Sequence, residues 1–287
     1  MAALLTVFRK ELADHFTSWR FIILFAIVLV VGVFAIYFDA QYIRQSVTES
    51  RFVFLQLYTT SGQALPLFIF FIAFFMPIVG ITLGFDAINS ERNRGTLSRL
   101  LSQPIFRDAV INGKFLAGAV TIAIMLTSII LLVAGLGLRM IGVPPSSEEA
   151  IRLFSFLIMS IIYGTFWLSL SILFSILFYR VATSALASIA LWMLFIAMFV
   201  FPFFTQTGRL GLTVMLISPI TLFWQIVTIT LIPTARLLGQ VIQTPSPLAL
   251  GQSMLLVWPH LVSIIALTVV CFAISYIKFM REEIRST

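Results

Sequence analysis

Six stretches of this sequence run for 18 residues or more without an Asp, Glu, Lys or Arg, at 21–38, 64–85, 115–138, 153–179, 181–204 and 254–277. A helix rises about 1.5 Å per residue and the hydrocarbon core of a bilayer is about 30 Å thick, so each stretch can cross it or nearly so. Backbone groups inside a bilayer find no water to bond, which leaves helices and closed barrels as the spanning structures. Barrel strands alternate polar and apolar side chains over about ten residues, and these stretches do not alternate. The sequence therefore predicts an all-α polytopic membrane protein with six transmembrane helices. Composition agrees, with 60% hydrophobic residues, 10% charged residues and a mean hydropathy of +1.09, well outside the range of soluble domains.

A seventh apolar stretch, 210–233, has Pro219 near its middle, and charge bias decides its status. With six spans and the N-terminus inside, 12 Lys and Arg fall on the inner side and 6 on the outer side. If 210–233 also spans, the C-terminal tail moves outside and the split falls to 10 against 8. Cytoplasmic loops carry the excess of basic residues, so six spans with both termini cytoplasmic is the favoured topology in a plasma or inner membrane. Residues 205–253 then form an outer-side re-entrant or interfacial hairpin bending at Pro219, with its freed backbone groups buried in protein.

Residues 1–20 carry Glu11 and Asp14 among their basic residues and are followed by no small-x-small cleavage pattern, unlike a cleavable signal. Leu5, Phe8, Leu12, Phe16 and Trp19 recur at three- and four-residue steps, with Lys10, Asp14 and Ser18 opposite. This is the pattern of an amphipathic helix lying along the cytoplasmic membrane surface. The chain accordingly divides into an interfacial helix at 1–20 and a single six-helix domain at 21–287, with a cytoplasmic loop at 86–114.

The chemistry that the sequence lacks is as informative. The spans hold no ionisable pair for proton coupling or an aspartyl protease, and there is no H-E-x-x-H. The one Gly-Lys pair, Gly113-Lys114, has Asp108 where a P-loop needs Gly and Phe115 where it needs Ser or Thr. Ser275 and Lys278 match S-x-x-K, but a Lys at a span end is an interfacial anchor. His260 and Cys271 stand alone and are read as packing residues. The expectation is a chain that is not an enzyme, holds no cofactor or metal of its own, and places its net charge of +7 between spans rather than on a nucleic-acid surface.

The loop between the second and third spans is dense in polar punctuation. Gly95 breaks the helix continuing from span two, and Thr96 can N-cap a short helix with Leu97, Leu100 and Leu101 as its apolar stripe. Ser102 and Pro104 stop that helix, and Glu91, Arg92, Arg94, Arg99 and Arg107 form its charged rim. A surface helix of this kind suits a docking groove on a partner.

The pattern Asp86, Glu91-Arg92, Gly95-Thr96-Leu97, Leu100-Leu101-Ser102, Pro104, Arg107 and Gly113-Lys114, with Phe8-Arg9-Lys10-Glu11-Leu12 near the N-terminus, resembles a known family. It is that of the type-2 ATP-binding-cassette transporter permeases, particularly the branch that includes the permease of copper-site assembly systems for nitrous oxide reductase. The resemblance implies a dimer of permease chains, each docked on a cytoplasmic ATPase subunit through the coupling helix around 96–102. ATP and Mg would be bound by that ATPase, not by this chain. Glu91, Arg92, Gly95, Thr96, Leu97, Leu100, Leu101, Pro104 and Arg107 are the coupling candidates. Gly80 and Gly84 form a G-x-x-x-G that serves close helix packing or bending.

Ser169, Ser171 and Ser175 in span four, with Ser184 and Ser188 in span five, are candidate pathway-lining residues; the alternative is that they bond their own helices. Uncharged, Phe-rich spans favour a hydrophobic or amphiphilic cargo. The competing reading is a membrane scaffold or assembly factor that binds partners and moves nothing.

Overall fold

The computed structural model of the chain describes residues 2–45, 53–59, 67–96, 106–204, 218–231, 236–237, 240–241 and 248–281. In chain order the elements are α1 (Ala2–Thr17), α2 (Trp19–Gln45), α3 (Val53–Thr59), α4 (Leu67–Gly84), α5 (Asn89–Asn93), α6 (Arg107–Ile141), α7 (Ser147–Leu177), α8 (Val181–Phe204), α9 (Pro219–Leu231) and α10 (Leu250–Arg281). Between α9 and α10 lies a two-residue antiparallel ladder, β1 (Arg236–Leu237) with β2 (Gln240–Val241). Six of these segments are long and apolar enough to cross a membrane: α2, α4 with its continuation through α5, α6, α7, α8 and α10. Each coincides with one of the uncharged stretches, and all but α8 run past their stretch into charged residues.

Spans two and four form the centre of the bundle, and spans five and six are the most exposed. The central pair can approach closely because its contact is made of glycine. A Cβ added at Gly80 would meet Trp167 Cβ at 2.7 Å and the Gly164 carbonyl oxygen at 2.9 Å, and one at Gly84 would meet Ser171 Cβ at 2.9 Å. The G-x-x-x-G is thus a packing surface, with Gly164 of α7 facing it. Around this seam the core is aliphatic and aromatic, including fully buried Trp167, Tyr163, Phe68, Phe156 and Phe223.

Helix ends follow local chemistry. Gly142, at φ +77°, closes α6 with its N–H donating to the Leu138 carbonyl. Ser146 and Glu149 then open α7 as a reciprocal capping box. Pro219 is the first residue of the 13-residue α9, where its missing N–H would have no intrahelical partner and its fixed φ suits a helix start; the limb of the expected hairpin before it lies at 205–217, outside the described residues. At about 1.5 Å per residue α9 is roughly 20 Å long, too short to span. Nearly all of it is buried, against α10, α7 and α4.

The N-terminal helix packs one side on the protein. Its protein-facing side is Val7, Glu11 and His15 against α6, with Val7 set on Gly113. Leu5 and Phe16, part of the expected apolar stripe, are exposed, Phe16 meeting the Phe21 ring edge-on, and Trp19 at the start of α2 is exposed as well.

Candidate functional site

Polar chemistry is gathered at the two ends of the bundle. At the α1 end, four turn residues, 85–88, join α4 to α5, and their geometry would leave amide groups without partners inside the protein. Ser175, near the end of α7, meets this need: its Oγ accepts from Ile88 N at 2.9 Å and Asn89 N at 3.2 Å. One helical turn earlier Ser171 Oγ donates to the Ile81 carbonyl at 3.0 Å. Span four therefore holds the end of span two by hydrogen bonds as well as by the glycine seam. α5 stops at Gly95, whose φ of +66° is the left-handed conformation that glycine adopts without strain.

Between α1, residues 82–96 and the start of α6 lies a cleft of about 800 Å³. Its floor is an ion-pair network across three elements. Lys114 of α6, with 5% of its side chain exposed, places Nζ 2.9 Å from Glu11 of α1 and 2.9 Å from Glu91 of α5. Lys10 adds contacts to Glu11 at 3.1 Å and Asp14 at 3.6 Å, and Arg20 pairs with Asp86 at 2.7 Å. Burial pushes the Glu11 carboxyl up, but Lys114 and Lys10 together outweigh it and hold its pKa below the ordinary value. Burial also pushes the His15 imidazole down, against the opposite pull of Glu11. The network fastens the N-terminal helix to the segment that leads into residues 97–105.

The predicted coupling residues divide accordingly. Glu91 is in the network; Arg92 lies over the Tyr179 ring at 4.7 Å, linking α5 to the turn after α7. Thr96 is the last described residue before 97–105, and its hydroxyl turns back to donate to the Glu91 carbonyl at 3.2 Å. Arg107 is the first residue of α6. Leu97, Leu100, Leu101 and Pro104 lie outside the described residues. Of the pathway candidates, Ser169, Ser171, Ser175, Ser184 and Ser188 are all fully buried. Ser169 Oγ bonds the Phe166 carbonyl and Ser188 Oγ that of Ser184, each on its own helix, whereas the Ser184 hydroxyl has no partner. The sequence reading missed the Lys114 network, although both of its ends stood in the quoted motifs.

At the opposite end Glu149 Oε1 accepts from the amides of Phe54 and Leu55 at the start of α3, at 2.9 and 3.2 Å. Arg152, one turn further on, reaches the carbonyls of Thr230 and Leu248. About 35 Å of helix separates Arg152 from Ser175 at 1.5 Å per residue, slightly more than a hydrocarbon core.

Six spans, polar groups concentrated at both ends and no metal-ligating cluster among the described residues define a multi-pass helical membrane protein. The comparisons with known proteins say which class of it. The model of the ABC-2 family transporter protein matches residues 5–284, and the chain belongs to that family. It is 28% identical over 205 residues to the probable ABC transporter permease protein NosY of Pseudomonas aeruginosa, covering 69% of each chain. The chain is an ABC transporter permease subunit.

Proposed function

We propose that this permease is driven by a separate cytoplasmic ATP-binding-cassette ATPase, which binds ATP and Mg and docks on the loop at 86–114. The observation that carries the reading is the fastening of α5 to α1 and α6 through Lys114, next to the Gly95 break. A force applied to residues 96–102 would reach the bundle through that rigid junction instead of dissipating in a loose loop. Thr96, Leu97, Leu100 and Leu101 are the docking residues, Gly95 and Pro104 set the limits of the helix, and Glu91, Arg92 and Arg107 anchor it.

Two permease chains, identical or different, assemble through the exposed apolar faces of spans one, five and six, with lipid covering what remains. Both termini are cytoplasmic in the plasma or inner membrane. Leu5 and Phe16, exposed on α1, and Trp19, exposed at the start of α2, rest in the membrane interface. α9 is the ascending limb of an outer re-entrant hairpin: its last turn lies beside Arg152, near the outer end of span four, while Ser218 just before it reaches the Phe195 carbonyl deep in span five. The cargo is hydrophobic or amphiphilic. Ser184 and Ser188 of the exposed span five retain the pathway-lining role, and Ser169, Ser171 and Ser175 serve the packing of spans two and four.

The test is co-purification of the chain in mild detergent from its own host, followed by ATP hydrolysis with and without Leu100→Glu or Thr96→Pro. An ATPase subunit should accompany the chain, and its stimulation should be lost in both variants while membrane insertion is unchanged. Full stimulation in the variants would remove the loop from the coupling role; a chain that purifies without any nucleotide-binding subunit would favour a scaffold.

A further inference from the structure

We propose that Arg152 is a positioning residue for transport: it holds α9 seated on the bundle at the end remote from the charged cleft, and release of this hold opens that end. The proposal deepens the permease reading and rests on it. Arg152 lies in the second turn of α7 with its side chain fully buried. Its Nη1 donates to the Thr230 carbonyl at 2.8 Å and to Ser253 Oγ at 3.4 Å, and its Nη2 to the Leu248 carbonyl at 2.7 Å. Thr230 is in the last turn of α9, Leu248 stands just before α10, and Ser253 is in its first turn. One side chain thus joins span four, α9 and the start of span six.

The placement follows from helix chemistry. Carbonyls in the last turn of a helix lack intrahelical donors and form the negative end of its dipole, so a guanidinium both satisfies and neutralises them. Elsewhere α9 is held by aromatic and aliphatic contact. Phe223 stacks on Tyr163 at 4.1 Å, and Trp224 meets Phe199 and Phe70 edge-on at 5.8 and 6.3 Å. At its start, Ser218 Oγ reaches the Phe195 carbonyl at 3.3 Å. Apolar contact is non-directional and tolerates sliding, whereas a fork bonded to fixed carbonyls does not. Arg152 therefore sets where along the bundle α9 rests.

Glu148 makes the hold releasable. Its carboxylate accepts from Arg152 Nη2 at 2.9 Å and Nε at 3.3 Å, one turn away on the same helix, and its side chain is 31% exposed. When α9 moves away this pair remains intact, so the guanidinium keeps a counter-charge in both positions. A buried Arg whose every partner lay on the moving element would be stranded, and that arrangement would oppose opening strongly. Here the two arrangements differ at the Thr230 carbonyl, whose bond water can replace, while Leu248 and Ser253 belong to the span-six side.

The experiment uses the full chain with its ATPase in membranes, in a Cys271→Ala background with Phe223→Cys as reporter for a membrane-impermeant maleimide. Without nucleotide, Arg152→Met should raise the labelling rate on the order of tenfold or more, since a hydrogen bond to a charged group is worth at least that factor. Arg152→Lys, which keeps the charge and loses the fork, should fall between. Equal rates in all three, at equal insertion, would overturn the proposal. A second arm leaves Arg152 in place: Tyr163→Cys with Phe223→Cys, bridged by a short reducible bis-thiosulfonate, pins α9 down. ATP hydrolysis should fall severalfold on bridging and recover on reduction, and unchanged hydrolysis with complete bridging would also overturn it. If no ATPase accompanies the chain, the permease reading fails instead, while the nucleotide-free labelling still reports on Arg152.

Discussion

Lys114 shows how much one side chain can organise. Both of its carboxylate partners are mostly buried, so Lys114→Met brings Glu11 and Glu91 together with only the half-exposed Lys10 between them. Breaking a buried pair in this way costs about 3 kcal/mol, or roughly a hundredfold in opening equilibrium. Amide exchange in α1 should accelerate by about that factor while the spans remain protected. His15 gives the same helix a pH response of definite sign. Burial holds its folded pKa below 6.5, so the undocked helix binds more protons than the docked one, and docking weakens as pH falls below 6.5. Exchange corrected for its intrinsic pH dependence should show this in the native chain and not in His15→Gln. Glu11 acts lower down: its folded pKa is below 4.5, so its contribution is complete above that value and is lost as pH falls through the folded pKa. The sequence offered Glu11 and Lys114 in separate motifs about a hundred residues apart. Nothing in either motif says that an α1 helix will bring the two within reach, because that depends on Val7 finding the notch at Gly113.

At the scale of elements, spans were legible and their neighbours were not. Absence of charge over bilayer length identified all six helices, since that requirement comes from the solvent and not from tertiary contact. Facing is a different problem: α4 is apolar on all sides, so no periodicity marks which side meets α7. Gly80 and Gly84 marked a site of close packing or bending without naming its neighbour, and Gly164, their counterpart, carried no signal by itself. Gly80→Ala should lower the thermal midpoint in detergent, because a Cβ there meets Trp167 and main chain below 3 Å and overpacking of this kind costs about 1–3 kcal/mol. Gly135→Ala in α6, where a Cβ meets nothing within 4 Å, should leave the midpoint unchanged or raise it slightly. Pro219 signals a break, but a helix start and a bend look alike in sequence, so the start of α9 became legible only in the structure.

For the whole molecule, α7 is the strut. Ser175 grips the end of span two on one side of the membrane, and Glu149 and Arg152 grip α3, α9 and span six on the other. Ser175→Ala withdraws the acceptor for Ile88 N and Asn89 N, a loss of about 1 kcal/mol or somewhat more for buried amides. Partner-stimulated ATP hydrolysis should fall severalfold while insertion and yield hold, measured on the reconstituted complex. A tilt of span four about its glycine seam would move both ends together, which is what a permease driven from one face requires. The order of synthesis gives the Glu11 contact a further meaning. Glu11 leaves the ribosome roughly a hundred residues before Lys114, on the order of ten seconds at about 5–20 residues per second. Through that interval α1 lacks its main packing surface, α6. In the interfacial position proposed for it, with Leu5 and Phe16 outward, the nascent helix would meet lipid first and gain the Lys114 contact only when the third span arrives.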